Sequence, residues 1–179
     1  MLNSRFLVLL IIIVSVALVR FLPDPPNFTP VLALAMFGGA YLTDKRMAFG
    51  LAFGALLLSD IFLGLHSTML FVYACFGLMV YFGIKLQNKS SLGKLAGAGI
   101  GGVAGSVIFF IVTNFGVWLT AGYYPLTLEG LGAAYVAAIP FFHYTLASTL
   151  IYSIVLFGGF EFAQHKYPAL QPALAQRSQ

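Results

Sequence analysis

Charged side chains are scarce in this sequence. Only 8% of its 179 residues are charged, whereas a soluble domain carries about 25%. Hydrophobic residues make up 60% of the chain. This composition is that of an integral membrane protein, and the length predicts one membrane domain over residues 1–179.

Cysteine and catalytic motifs are also nearly absent. The single cysteine, Cys75, excludes an internal disulfide and any metal site built from several cysteines. The sequence has no HExxH motif, no phosphate-binding glycine loop and no nucleophile elbow, so an enzyme is not expected. The net charge of +4 does not indicate nucleic-acid binding, because the basic residues follow the predicted membrane topology.

The long apolar runs predict an all-α bundle of six transmembrane helices. The second run is only about 21 Å long as a helix, so its ends must lie below the bilayer surface if it crosses. A further short helix is expected at 128–139, and a polar tail at 164–179. The six predicted helices span residues 6–22, 29–42, 47–65, 69–86, 95–119 and 141–163.

The distribution of basic residues orients this bundle. With six crossings, both termini and loops 2 and 4 share one side, which holds eight of the nine Lys and Arg residues. The positive-inside rule makes this side cytoplasmic. Loops 1, 3 and 5 then face outward with single polar groups and aromatics, which suits capture of a ligand from outside.

Residues 20–30 form a rigid polar segment between the first two helices. Four prolines fix the backbone there, so no helix can run through it. The segment is either a plain turn or the lip of a ligand site, since rigidly held loops often carry function. Its polar residues are Arg20, Asp24, Asn27 and Thr29.

Asp60 lies inside the third apolar run, about 8 Å below its outer end. A carboxylate in a bilayer costs about 3 kcal/mol and marks a candidate functional site. Arg20 is its expected partner, with His66 and Asn114 next. Asp60 therefore either clamps two helices together as an ion pair or binds substrate.

Cys75 and Trp118 each have two interpretations. A lone buried cysteine usually behaves as a small hydrophobe, but a thiolate is also a soft ligand for a metal already held in a macrocycle. Trp118 is either an interfacial anchor or a flat ligand contact. Glycines at 97, 101 and 105 indicate close helix packing, within the bundle or against a partner protein.

Five segments carry a resemblance that covers nearly the whole chain. The chain resembles the small six-helix membrane proteins related to substrate-binding S components of energy-coupling-factor (ECF) vitamin transporters. Among characterised relatives it is most similar to the solitary cobalamin transporters of Gram-negative bacteria. The segments are RFLPDPPNFTP (20–30), FGGAY (37–41), LSD (58–60), TNFGVW (113–118) and AIPFF (138–142).

The resemblance implies an S-component-like fold in the bacterial inner membrane. It implies uptake of cobalamin or a related corrinoid under loops 1, 3 and 5, with no intrinsic cofactor. Cys75 would be an axial ligand to the cobalt of the bound vitamin and would assist removal of its cyanide. The other expected substrate-binding residues are Arg20, Asp24, Asn27, Asp60, His66, Tyr73, Asn114, Trp118 and Tyr135.

The energy source and two other functions stay open. Standard S components carry an Ala-x-x-x-Ala motif in the first helix for docking on an energising module. The first helix here has only Ala17, so the partner is either such a module or none. The alternative functions are uptake of a metal-free vitamin, flavin or purine-like, and a non-transporting membrane scaffold or assembly protein.

Overall fold

The computed structural model of the chain describes residues 4–23 and 25–172, and contains no strand in those ranges. Asp24 lies outside the described residues. A 3-10 turn, Val19–Phe21, follows the first helix, and a π-helical segment, Ile154–Gly158, joins the last two. The helices are α1 Ser4–Leu18, α2 Val31–Tyr41, α3 Lys45–Leu63, α4 Met69–Leu86, α5 Ser91–Thr120, α6 Leu128–Ser153 and α7 Gly159–Lys166.

Five helical segments in the described part of the chain are long and apolar enough to cross a membrane. α2, with 11 residues, is only about 16 Å long, against a hydrocarbon core of about 30 Å. This architecture is that of a helical, multi-pass membrane protein. The five segments are Ser4–Phe21, Lys45–Leu63, Met69–Leu86, Ser91–Thr120 and Leu128–Lys166.

α2 is the central helix of the bundle. Every residue from Val31 to Tyr41 is buried, as expected for a helix that is apolar on all sides. Its closest neighbour is α4, because two glycines let the backbones touch. A Cβ built on Gly83 would overlap the carbonyl oxygen of Met36, and one built on Gly39 would overlap that of Val80.

One end of the bundle, here called the basic end, carries loop 2 (residues 42–44) and loop 4 (residues 87–90). Gln87 Nε2 of loop 4 donates to Leu42 O of loop 2 at 2.8 Å. Arg5 Nη2 donates to Tyr41 O at 3.3 Å, which brings the start of α1 to the same end. Arg177 lies outside the described residues. The basic residues at this end are Arg5, Lys45, Arg46, Lys85, Lys89, Lys94 and Lys166.

A buried carboxylate ties three helices together at the basic end. Glu161 of α7 accepts from the Tyr41 hydroxyl of α2 at 2.7 Å and from Ser91 Oγ of α5 at 2.5 Å. Lys94 Nζ forms a salt bridge to the same carboxylate at 3.1 Å. Lys94 and Glu161 therefore compensate each other inside the bundle.

The last long helix differs from the prediction. The expected short helix at 128–139 and the expected helix at 141–163 belong to one continuous helical segment, Leu128–Lys166, which comprises α6, the π-helical segment and α7. Thr127 Oγ1 caps its start by accepting from Gly130 N at 3.2 Å. Pro140 lies inside α6 without ending it, because membrane helices tolerate the loss of one backbone donor where neighbouring helices support them.

Side-chain caps also move two other helix starts. α3 begins at Lys45 instead of Met47, because Asp44 Oδ1 accepts from Arg46 N at 2.7 Å. α5 begins at Ser91 instead of Leu95, since Ser90 Oγ accepts from Gly93 N at 3.2 Å. Ser and Asp at these positions are strong capping residues, so the sequence contained the signal.

The predicted surface tail at 164–179 is partly built into the bundle. Gln164 is buried and accepts from Arg5 Nη1 at 2.6 Å. Leu170 is also buried, and its carbonyl oxygen accepts from the same guanidinium. The structure describes the tail only to residue 172, so the prediction for the rest lies outside the described residues.

Candidate functional site

A cavity of about 320 Å³ opens at the end of the bundle opposite the basic end. It lies under loop 1 (residues 22–30) and loop 3 (residues 64–68), between the ends of α2 to α6. Its size is at the lower end of the range for small-molecule sites, about 300–1,000 Å³. The lining residues are Arg20, Asn27, Thr29, Val31, Leu32, Leu56, His66, Thr68, Val72, Phe109, Thr113, Asn114, Val117, Thr145 and Thr149.

Hydroxyl and amide groups dominate the polar part of this lining. Five threonines and two asparagines contribute to it. They come from two loops and two helices, so donors and acceptors converge from several directions on one space. Arg20 is the one Lys, Arg, Asp or Glu side chain among the described lining residues.

Arg20 belongs to an ion-pair network beside the cavity. Its Nη2 donates to Asp60 Oδ1 of α3 at 2.7 Å. Its Nη1 donates to Ser59 Oγ and, at 3.4 Å, to Leu56 O. The guanidinium thus links the 3-10 turn after α1 to the C-terminal half of α3.

Asp60 lies behind Arg20, outside the described cavity lining. Its second oxygen accepts from the Tyr73 hydroxyl of α4 at 2.9 Å. The residue is 1% exposed, so both carboxylate oxygens are engaged and hidden from a ligand. Of the two interpretations of Asp60, this geometry favours the clamp between helices.

Loop 1 forms one wall of the cavity. Asn27 adopts a φ of 65°, a left-handed conformation that asparagine tolerates better than most residues. Thr29 Oγ1 accepts from Val31 N at 3.3 Å, and both residues line the cavity. Asp24, predicted as a third polar contact of this loop, is outside the described residues.

Loop 3 closes the neighbouring side. His66 Nδ1 lies 2.8 Å from Thr68 Oγ1, and both side chains line the cavity. The Thr120 hydroxyl at the end of α5 donates to Gly116 O at 2.8 Å and lies 3.3 Å from Ser67 O of loop 3. Loop 3 is therefore next to α5, whose Asn114 also lines the cavity.

The three aromatic residues predicted to contact the ligand are outside the described lining. Tyr73 bonds Asp60, as described above. Trp118 Nε1 donates to Pro125 O at 3.0 Å and holds loop 5 (residues 121–127) against α5. The Tyr135 hydroxyl donates to Ile111 O at 2.8 Å and joins α6 to α5. Each polar tip has a partner within the bundle.

Cys75 is a buried residue of α4. Its exposed fraction is 3%, and it does not line the cavity described above. The described residues contain no group of three or more His, Cys, Asp or Glu side chains placed to hold a metal ion.

Sequence reasoning missed the apolar lining residues and four of the polar ones, Thr68, Thr113, Thr145 and Thr149. Thr145 and Thr149 are four residues apart on α6 and therefore share one face. That spacing, inside an otherwise apolar run, is the signal that could have found them. Thr68 follows His66 in loop 3, and only the fold brings it to the cavity.

Comparisons with known proteins give a family. No curated protein and no solved structure matches this chain. The sequence profile of DUF6580, described as a family of unknown function, matches residues 1–170. That match covers nearly the whole chain, and the protein therefore belongs to the DUF6580 family.

Proposed function

We propose that the protein binds a small vitamin-type molecule from the outer face of a membrane and takes part in its uptake. The observation that carries this proposal is the cavity of about 320 Å³ at one end of the bundle. Loops 1 and 3 lie over it, and hydrogen-bonding side chains converge in it. A second, smaller cavity of about 250 Å³ lies at the basic end, where the Lys94–Glu161 ion pair forms part of its lining.

We propose a six-crossing topology in the bacterial inner membrane, with both termini cytoplasmic. The basic end would face the cytoplasm by the positive-inside rule, and the cavity would face outward. α2 would be the sixth crossing: Val31 lines the cavity, whereas Tyr41 bonds Glu161 at the basic end. Its ends lie inside the bundle, so the helix need not span the lipid by itself.

A metal-free vitamin is the substrate class that the geometry favours. A corrinoid with its nucleotide arm is larger than the drug-sized ligands that pockets of this volume hold. The lining also does not fit it, because Cys75 is buried outside the cavity. The assignment of cobalamin as the substrate thus rests only on the resemblance to solitary cobalamin transporters. The involvement of an ECF energising module rests on the same resemblance.

A non-transporting scaffold is the second candidate, and one observation favours it. The Arg20–Asp60 pair is complete, with Tyr73 on the remaining carboxylate oxygen. Such pairing is expected of a structural clamp. The polar cavity beside the pair has no evident role in a scaffold, which is why uptake is preferred.

Filling the cavity tests the proposal. Val72→Trp places a large side chain in the cavity from α4, whereas Leu70→Trp, two residues away, modifies a site that is 76% exposed. We expect a small molecule to co-purify with wild type and Leu70→Trp, as identified by mass spectrometry, and to be lost from Val72→Trp. Equal yields in all three proteins would contradict binding in this cavity.

Cysteine labelling tests the topology. A cysteine introduced at the exposed Glu129 should react with a membrane-impermeant maleimide in intact spheroplasts, because loop 5 and the start of α6 would face outward. The unaltered chain is the matched control, since its only cysteine, Cys75, is buried. Labelling at position 129 only after permeabilisation would reverse the proposed orientation.

A further inference from the structure

Two buried hydroxyls on α6 have no hydrogen-bond partner among the described residues. They are Thr149 Oγ1 and Ser153 Oγ, on residues that are 1% and 3% exposed. A buried hydroxyl without a partner costs free energy, and such a group in a folded protein calls for an explanation. The two residues are one helical turn apart on the same face.

Several other hydroxyls in the described membrane helices donate to their own helix backbone. Ser106 donates to Gly102 O at 2.7 Å, and Thr113 donates to Phe109 O at 2.7 Å. This bond to the carbonyl four residues earlier is the usual solution for Ser and Thr in a helix. Thr149 does not make it, and the carbonyl oxygen four residues earlier, that of Thr145, accepts from Ser148 Oγ at 3.1 Å.

The Thr149 hydroxyl lies where it can hydrogen-bond a ligand. Thr149 lines the cavity, as does Thr145 one turn nearer its mouth. Four residues of helix correspond to about 6 Å of depth. Thr149 is therefore a buried, unpartnered hydrogen-bonding group at the floor of a cavity that opens at the outer end.

The charges around the cavity limit what can bind there. A buried carboxylate or phosphate needs a cation that is free to pair with it. The guanidinium of Arg20 already faces Asp60 at 2.7 Å. His66 is an exposed residue of loop 3, at the mouth of the cavity.

We infer that the cavity binds an uncharged small molecule, one or two rings in size, whose polar group hydrogen-bonds the Thr149 hydroxyl at the cavity floor. The inference rests on the proposed function and narrows its substrate class. It excludes nucleotides, phosphorylated vitamins and carboxylic acids as ligands of this cavity. Thr149 is the residue that recognises the polar group.

Matched ligand pairs test the charge of the ligand. Purified full-length protein is heated with nicotinamide or nicotinate, and with riboflavin or riboflavin phosphate, and the compound that co-purifies is identified. We expect any rise in melting temperature to come from the uncharged member of a pair, and the co-purified compound to be uncharged at pH 7.

Stabilisation by the anionic member, or an anion as the co-purified compound, would contradict the inference and would still support the proposed function. If no compound co-purifies and no pair member stabilises the protein, the proposed function falls as well.

Two measurements on the Thr149→Val variant, its melting temperature and its ligand affinity, test the role of Thr149. It removes an unpartnered hydroxyl at nearly constant shape, so the melting temperature of the ligand-free protein should stay the same or rise. Affinity for the co-purified compound should fall about three- to tenfold, the value of one hydrogen bond. Thr149→Ser should retain affinity.

Ser153→Ala is the matched control. It removes the other unpartnered hydroxyl, which does not line the cavity, and should leave affinity unchanged. Unchanged affinity in Thr149→Val, or an equal loss in Ser153→Ala, would overturn the role of Thr149.

Discussion

Replacing Asp60 with asparagine is expected to lower the free energy of unfolding of the ligand-free protein by about 3 kcal/mol. The change keeps the shape of the side chain and removes the charge that faces Arg20. Only 17% of the Arg20 side chain is exposed. In the variant, water can therefore replace only part of the interaction that the guanidinium makes with the Asp60 carboxylate. Unfolding of the purified protein in detergent, followed against denaturant, measures the loss.

Asp44→Asn is the matched control for that experiment. Asp44 is exposed and caps α3 through its side-chain oxygen, and asparagine caps a helix about as well as aspartate. We therefore expect little change in stability. The double variant Arg20→Gln/Asp60→Asn should recover part of the lost stability, because it leaves no buried charge without a partner. A stable Asp60→Asn protein with weakened ligand binding would show that Asp60 is a binding residue and not a clamp.

Gly83→Ala is expected to cost about 2 kcal/mol or more, because the added methyl group has no room. The new Cβ would overlap Met36 O and lie 3.0 Å from Ala40 N. Both are backbone atoms of α2, so no side-chain rotation can relieve the overlap. α2 and α4 would have to separate, which loosens the centre of the bundle. The unfolding midpoint in detergent measures the effect.

Gly54→Ala on α3 gives the contrasting result. A Cβ there would meet no atom within 4 Å, and alanine favours a helix over glycine by up to about 1 kcal/mol. We expect unchanged or slightly higher stability. Similar losses in Gly83→Ala and Gly54→Ala would contradict the close contact between α2 and α4.

The sequence was most informative where residues stand out against an apolar background. The pairing of Arg20 with Asp60 was predicted because two isolated charges in membrane segments must find partners. The apolar runs gave the helices, and Pro23 to Pro30 marked the first loop correctly. Residues 97, 101 and 105 were expected to pack closely, and a Cβ on any of these glycines would crowd side chains of the bundle.

Other features could not be found in this way, for physical reasons. The contact of Gly39 with α4 joins helices far apart in sequence, so no local period marks it. Pro140 was interpreted as a helix boundary, although the surrounding bundle allows α6 to continue through it. The threonines of the cavity were missed, because most threonines in membrane helices bond their own backbone and only the four-residue spacing of Thr145 and Thr149 marks a shared face. Cys75 stands out in the sequence as the only cysteine, yet its burial is typical of a small apolar residue.

Uptake through the cavity is the central claim, and a transport measurement tests it most directly. The compound that co-purifies with the protein is added in isotopically labelled form to cells that produce wild type, Val72→Trp or Leu70→Trp in equal amounts. We predict accumulation inside cells with wild type and Leu70→Trp, and only background accumulation with Val72→Trp. Accumulation with Val72→Trp equal to that with wild type, or background accumulation with all three, would contradict the account.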